Sequence, residues 1–155
     1  NYRMNAITAA VGLAQLERID HLVQRRICIG NMFLRVINNC NWLIPQKVSN
    51  DMNHTYYTFG VRYLGEKYLG VSWESFYQMY TKRGGDGFYA AWVNPYLEPA
   101  LKGSNFSNQT CENGLCSLSE TYQKQIMLFK TNYRDLGDAR RNVEILEELI
   151  NELEK

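Results

Sequence analysis

Residues 1–20 read "NYRMNAITAAVGLAQLERID", and the stretch from Asn5 to Leu16 carries no charge although its spacing is helical throughout. A surface helix shows one apolar stripe about 100° wide and places charge on the opposite face. Here Ala6, Ile7, Ala9, Ala10, Val11, Gly12, Leu13, Ala14 and Leu16 reach round nearly the whole circumference, and only Asn5, Thr8 and Gln15 break it. Such a helix has to be covered on several sides. Its Ala and Gly residues let another backbone approach closely, so a large partner surface is implied. From Glu17 the character changes: Ile19, Leu22, Val23, Ile27 and Phe33 keep one stripe while Glu17, Arg18, Asp20, Arg25 and Arg26 take the rest. An unbroken helix from Asn5 to Val36 measures about 45 Å at 1.5 Å per residue, longer than a small domain needs for itself.

The remainder is an ordinary globular sequence. It has 155 residues, 45% apolar and 21% charged, with a formal net charge of +1. That length fits a single globular unit, and that balance supplies no field for nucleic acid or an acidic membrane surface. No apolar run approaches the roughly 18 residues that span a bilayer. The four cysteines are too few for a disulfide scaffold and follow no zinc spacing, so free thiols and no metal site are expected. Cys111 and Cys116 are close enough to close a small loop, but no nearby His or second Cys pair makes half a metal site there whole.

Further along, "NNCNWLIPQ" ends the opening helix, and Pro45 closes a short extended piece. "HTYYTFGVRYL" alternates as a strand, with Tyr57, Phe59, Val61 and Tyr63 on one face. Ser72 caps a helix whose Trp73, Phe76, Tyr77 and Tyr80 share a side, and Gly84 and Gly85 stop it. "GFYAAW" reads as a second strand, and 94–117 as a long loop of the kind that is often functional. "SETYQKQ" resumes a helical rhythm and "MLFK" is a short strand. In "DLGDARRNVEILEELINELEK" Leu136, Ala139, Val143, Leu146, Ile150 and Leu153 form an amphipathic helix with Asp135 placed to cap it. Helices alternating with few strands indicate an α/β or α+β fold, a small sheet flanked by helices.

Chemistry is harder to read. No Ser-His-Asp set, phosphate-binding Walker loop, dinucleotide fingerprint or metal motif is present, and only His21 and His54 supply imidazoles. His21 falls on the charged side of its helix. His54, just before a strand, reads either as a capping or packing residue or as a ligand contact. The tyrosines, Tyr56 among them, suit core and sheet face by spacing, and any left at a cleft would suit a sugar. "GGDG" at 84–87 either turns the chain after a helix or cradles a phosphate on its amides.

The opening segment resembles the hallmark stretch of the DegT-type nucleotide-sugar aminotransferases, enzymes of the aspartate aminotransferase fold that use pyridoxal 5'-phosphate (PLP). "HTYYTFGVRY" resembles that family's small-domain strand, and "QIMLFKTNYRDLGDARRNVEILEELI" its closing strand and helix. The resemblance implies that residues 1–40 are the long connecting helix from a large PLP domain and 41–155 the C-terminal small domain. It implies amino transfer from glutamate to a keto group on a nucleotide-linked sugar, in a cytoplasmic homodimer. The Schiff-base lysine then lies upstream of these residues, so no catalytic residue is expected within them. Asn1 is the implied cofactor contact, reaching the PLP phosphate of the neighbouring subunit. Arg3 is implied at the anionic groups of substrate or amino donor, and His54 and Tyr56 complete the candidate substrate-binding set. Two alternatives stay open: a sugar dehydratase of the same family, in which His replaces the lysine, and a non-catalytic binding or regulatory protein that keeps this half of the fold. "KRGGDGFYAAW" and the loop from Lys102 to Cys116 depart from the family pattern, leaving the sugar open.

Overall fold

The structure is a computed structural model describing residues 3–90, 93–101 and 113–155. Asn5 caps α1 (Ala6–Leu16), its side-chain oxygen accepting from the Thr8 amide at 2.8 Å. Then come α2 (Ile19–Ile37), β1 (Leu43–Pro45), β2 (Phe59–Tyr63), α3 (Gly65–Leu69), α4 (Trp73–Lys82) and β3 (Phe88–Ala90). Two short 3-10 turns, Pro95–Leu97 and Pro99–Leu101, precede α5 (Ser117–Gln123), β4 (Ile126–Phe129) and α6 (Leu136–Leu153). The expected long loop thus contains local turns at its start, and its stretch 102–112 lies outside the described residues.

The four strands make one antiparallel sheet in the order β1-β2-β4-β3. Alternation sets its two faces. Phe59, Val61 and Tyr63 of β2 and Met127 and Phe129 of β4 point inward and are buried. Against them pack Ile29, Phe33 and Ile37 of α2, Phe76 and Tyr80 of α4, and Ala139, Val143, Leu146, Leu149 and Ile150 of α6. Phe33 lies 5.5 Å from Phe59 and 5.2 Å from Phe129 between ring centroids, tying α2 to both central strands. The result is two layers, helices over one face of a small sheet, and this agrees with the sequence reading. The expected stripe of α6 is buried on that face, and Asp135 caps it through the Gly137 amide at 2.9 Å.

Two local expectations need correcting, and one reading left open is settled. The long helix is not continuous: Glu17 and Arg18 form a turn, and Arg18 leaves the helical region (φ −115°, ψ 5°). Among the described residues nothing packs on α1 to hold the two segments in one line, and every residue of α1 is exposed. Tyr57 does not join the inner face of β2; it is 80% exposed. The strand begins only at Phe59, after a bend at Tyr57 and Thr58, and Tyr56 before it sits at φ 48°. A left-handed tyrosine breaks the period of two, so alternation cannot be extended back from Phe59. Finally, "GGDG" is a turn. Gly84 takes φ 89°, its amide reaches the Thr81 carbonyl at 2.9 Å, and the Gly85 amide reaches the Tyr80 carbonyl at 3.1 Å. This is the paired hydrogen-bond pattern of a helix end closed by glycine. With the Asp86 amide bound to Asn142 Oδ1 at 2.7 Å, three successive amides are committed within the chain and leave no cradle for a phosphate.

Candidate functional site

On the other face of the sheet Tyr122 of α5 covers Arg62, 4.5 Å from its guanidinium to the ring centre, while Leu128 is half-buried and Tyr89 exposed, and a groove of about 700 Å³ lies beside them. Its floor includes Leu128 of β4, and its walls come from five places. Tyr57 and Thr58 lead into β2; Lys130, Thr131 and Asn132 follow β4; Tyr89 stands on β3; Asp86 ends the glycine turn. Arg26 reaches in from α2. Antiparallel pairing explains the convergence. Phe59 pairs with Phe129 and Phe88 with Phe129, so the start of β2, the end of β4 and the start of β3 meet at one edge.

Thr131 organises that edge. It is buried, and its hydroxyl faces the carbonyls of Tyr56 and Tyr57 at 2.6 and 3.0 Å while accepting from Arg26 Nη1 at 3.3 Å. Arg26 Nη1 also donates to the Tyr57 carbonyl at 2.7 Å, and its guanidinium sits 5.4 Å from the centre of the Tyr57 ring. Across the groove Lys130 Nζ is 3.1 Å from Asp86 Oδ2 and 4.5 Å from the centre of the Tyr133 ring. Asp86 itself is placed from beneath. Asn142 on α6 is buried, and its Oδ1 accepts from both the Asp86 amide and the Tyr80 hydroxyl, the latter at 3.1 Å. Burial first, then the Asp86 carboxylate, pushes the Tyr80 phenol above the usual tyrosine range and keeps it a donor. The Tyr133 phenol is raised in the same way, by burial before its charged neighbours.

The residues singled out from the sequence lie elsewhere. Asn1 is outside the described residues. Arg3 is exposed ahead of α1. His54 and Tyr56 are brought together, their rings 4.3 Å apart. His54 Nδ1 accepts from the Tyr56 amide at 2.8 Å, which assigns the ring proton to Nε2, 3.3 Å from Gln46 Oε1. The Tyr56 ring lies flat on Gly30, where an added Cβ would come within 2.5 Å of it, and 5.9 Å from Phe59. None of Arg3, His54 and Tyr56 lines the groove. Sequence reasoning passed over Arg26, Asp86, Thr131 and Asn142. For Arg26, Asp86 and Thr131 it offered no signal, since each looks like an ordinary helix or turn residue. Asn142 was visible: it interrupts the apolar stripe of α6 between Ala139 and Val143, where a polar side chain must have buried partners.

Comparison with known proteins decides the family. A family model described as the DegT/DnrJ/EryC1/StrS aminotransferase family matches residues 1–85, more than half of the chain. The chain belongs to this family. It is 39% identical over 61 residues to a GDP-perosamine synthase of Escherichia coli O157:H7, covering 39% of this chain and 16% of that enzyme. It is 40% identical over 67 residues to a GDP-perosamine synthase of Caulobacter vibrioides, covering 43% of this chain and 18% of that enzyme. Among solved structures, S. venezuelae DesV in complex with a ketimine intermediate superposes with a TM-score of 0.76 at 19% identity, covering 96% of this chain and 37% of DesV. Helicobacter pylori PseC, an aminotransferase involved in the biosynthesis of pseudoaminic acid, gives 0.72 at 17% identity, covering 98% of this chain and 39% of PseC. These likenesses show a shared fold over 96% and 98% of the chain. The chain spans well under half the length of each of these relatives.

Aminotransferases of the DegT family use PLP in general. The described residues do not by themselves make a site for it. PLP is held through an enclosed lysine. Lys47, Lys67, Lys82, Lys124 and Lys155 are exposed, and Lys130 is paired with Asp86. No step through the cofactor is therefore assigned to these residues. Among them, no group of three or more His, Cys, Asp or Glu gathers as for a metal ion.

Proposed function

We propose that this chain is the connecting helix and small domain, 1–40 and 41–155, of a PLP-dependent enzyme that moves an amino group from glutamate to a keto nucleotide-sugar. The observation that carries the reading is the family match over residues 1–85, together with two GDP-perosamine synthases that are 39% and 40% identical over 61 and 67 residues. The bare apolar surface of α1 supports it as well, because a helix of that kind suits a place between a large domain and a second copy of the chain. In this reading the aldimine lysine belongs to the large domain, and this chain contributes binding and orientation. PLP supplies the electron sink when bound. Asn1 is assigned to its phosphate, since an amide donates hydrogen bonds to an anion. Arg3 is assigned to the carboxylate of the amino donor or an anionic group of the sugar nucleotide, which its planar fork suits. His54 and Tyr56 are assigned to the substrate through the loop they brace, and the enzyme to the cytoplasm as a homodimer. Among the described residues no helix is long and apolar enough to cross a membrane.

The test runs the reaction backward. The complete protein, given GDP-perosamine or another nucleotide-linked amino sugar together with 2-oxoglutarate, should release glutamate, and the 155-residue chain alone should not. Loss of a sugar hydroxyl without amino transfer would favour the dehydratase reading. Neither reaction with any of a panel of such sugars would favour the non-catalytic one.

A further inference from the structure

We propose that His54 is a pH-operated latch on the wall of the groove: neutral, it holds the left-handed turn at Tyr56, and protonated it releases that turn. The latch is one hydrogen bond. His54 Nδ1 accepts from the Tyr56 amide at 2.8 Å, so that nitrogen has to carry a lone pair rather than a proton. Tyr56 stands at φ 48°, a conformation that a tyrosine keeps only where its surroundings impose it. An imidazolium carries protons on both nitrogens, and turning the ring over restores no acceptor. The other side of the ring is indifferent to the change, because Nε2 donates toward Gln46 Oε1 at 3.3 Å in either form.

What the turn carries makes its release matter. The Tyr56 carbonyl takes the Thr131 hydroxyl at 2.6 Å, the Tyr57 carbonyl takes Arg26 Nη1 at 2.7 Å, and Tyr57, Arg26 and Thr131 all line the groove. Thr131 and Arg26 thus fix the turn from its far side and His54 from its near side. Of the three, only the imidazole titrates close to neutral pH. Its surroundings offer an imidazolium no partner. Gln46, after β1, is uncharged, and Tyr56 brings a phenol on a ring 4.3 Å away. Among the described residues, Lys47 and Asp51 of its own loop and Arg26 of α2 make no hydrogen bond or ion pair with it, and Lys130, after β4, is paired with Asp86. His54 is half-buried, so water delivers the proton. The latched state binds no proton at His54 and therefore loses population as pH falls through the imidazole range.

The latch is independent of the reaction assigned above, and its test needs no substrate. Hydrogen exchange of the complete protein, read by mass spectrometry on peptides spanning 54–58 at about pH 7.5 and about pH 5.5, brackets the ordinary imidazole range. After correction for the intrinsic pH dependence of exchange, protection of the Tyr56 amide should fall about tenfold at the lower value, the equivalent of one ordinary hydrogen bond. His54→Asn places a carbonyl oxygen where Nδ1 stands, in the turn that Asn makes with the amide two residues on, and should keep the protection at both values. His54→Ala should lack it at both. Amides of α6 should stay equally protected throughout. Four results would overturn the proposal: wild-type protection that is the same at both values, a fall that persists in His54→Asn, or a matching fall in α6, which would mark a general loosening of the fold. The fourth is full protection in His54→Ala at the higher value, since Thr131 and Arg26 would then hold the turn without the imidazole.

Discussion

Asn142 shows how one polar side chain in a core decides the shape of a surface several residues away. Its Oδ1 accepts from the Asp86 amide at 2.7 Å and the Tyr80 hydroxyl at 3.1 Å, while its Nδ2 donates to the Asp138 carbonyl at 3.0 Å. Asn142→Leu would fill the space and remove the acceptor. The Tyr80 hydroxyl keeps the Asn142 backbone carbonyl at 3.0 Å, but the Asp86 amide loses its partner. Losing a part-buried hydrogen bond costs about 0.5–1.5 kcal/mol, so denaturant melts of Asn142→Leu should show a loss of that size. Asn142→Asp keeps the acceptor but buries a carboxylate against the Asp138 carbonyl, so at neutral pH it should lose at least as much. A neutral Asn142→Leu would mean that the turn finds water instead. At this scale the sequence is only partly legible. A polar residue inside an apolar helical stripe announces a buried partner without naming it, whereas Tyr56 at φ 48° announces nothing. Its conformation is held by His54 Nδ1 on its amide, Thr131 on its carbonyl and Gly30 beneath its ring, three contacts from distant parts of the chain. Strain of that kind is bought by tertiary structure.

Among the elements, those with long periodic patterns are the ones that sequence reading locates. α6 and α4 follow their stripes and their caps at Asp135 and Ser72. α3 has five residues, too short to show a period, and passes unread. The turn at Glu17–Arg18 is also unread, because residues on both sides of it are good helix formers and the interruption appears only in the backbone. α5 offers a pH test. The Glu120 carboxylate accepts from the Tyr96 hydroxyl at 2.7 Å and the Gly114 amide at 2.8 Å, and these bonds, the tyrosine first, hold its carboxyl below the usual range. The Tyr96 hydroxyl is pushed up to about 12, by burial first and by Glu120 next. A folded value below the unfolded one means that the contact stabilises α5 at neutral pH and is lost as pH falls through the folded value. The resonances of Tyr96 and Gly114 should therefore shift on acidification with a midpoint below the ordinary glutamate value of about 4.3. Glu120→Gln should abolish the step. A midpoint at or above the ordinary value would contradict the contact.

For the whole molecule, the two-layer architecture was legible from the order of its elements, and the family from three stretches spread along the chain. The groove was not, because Arg26, Asp86, Tyr57 and Lys130 come from segments far apart in sequence and meet only when β2, β3 and β4 pair. What sets this chain apart is α1. Ile7, Val11 and Leu16 are 80%, 60% and 63% exposed, so water meets an apolar surface that soluble monomers seldom carry. We propose that this surface packs against a large domain and a second copy of the chain. Light scattering on the purified 155-residue chain tests that most directly. The chain should run as dimers or larger species, and replacing Val11 and Leu16 together by Glu should shift it to monomer without changing its melting temperature, since neither side chain is part of its own core. A monomer at high concentration that melts cooperatively and is destabilised by the same two changes would place α1 in the chain's own core and contradict the account.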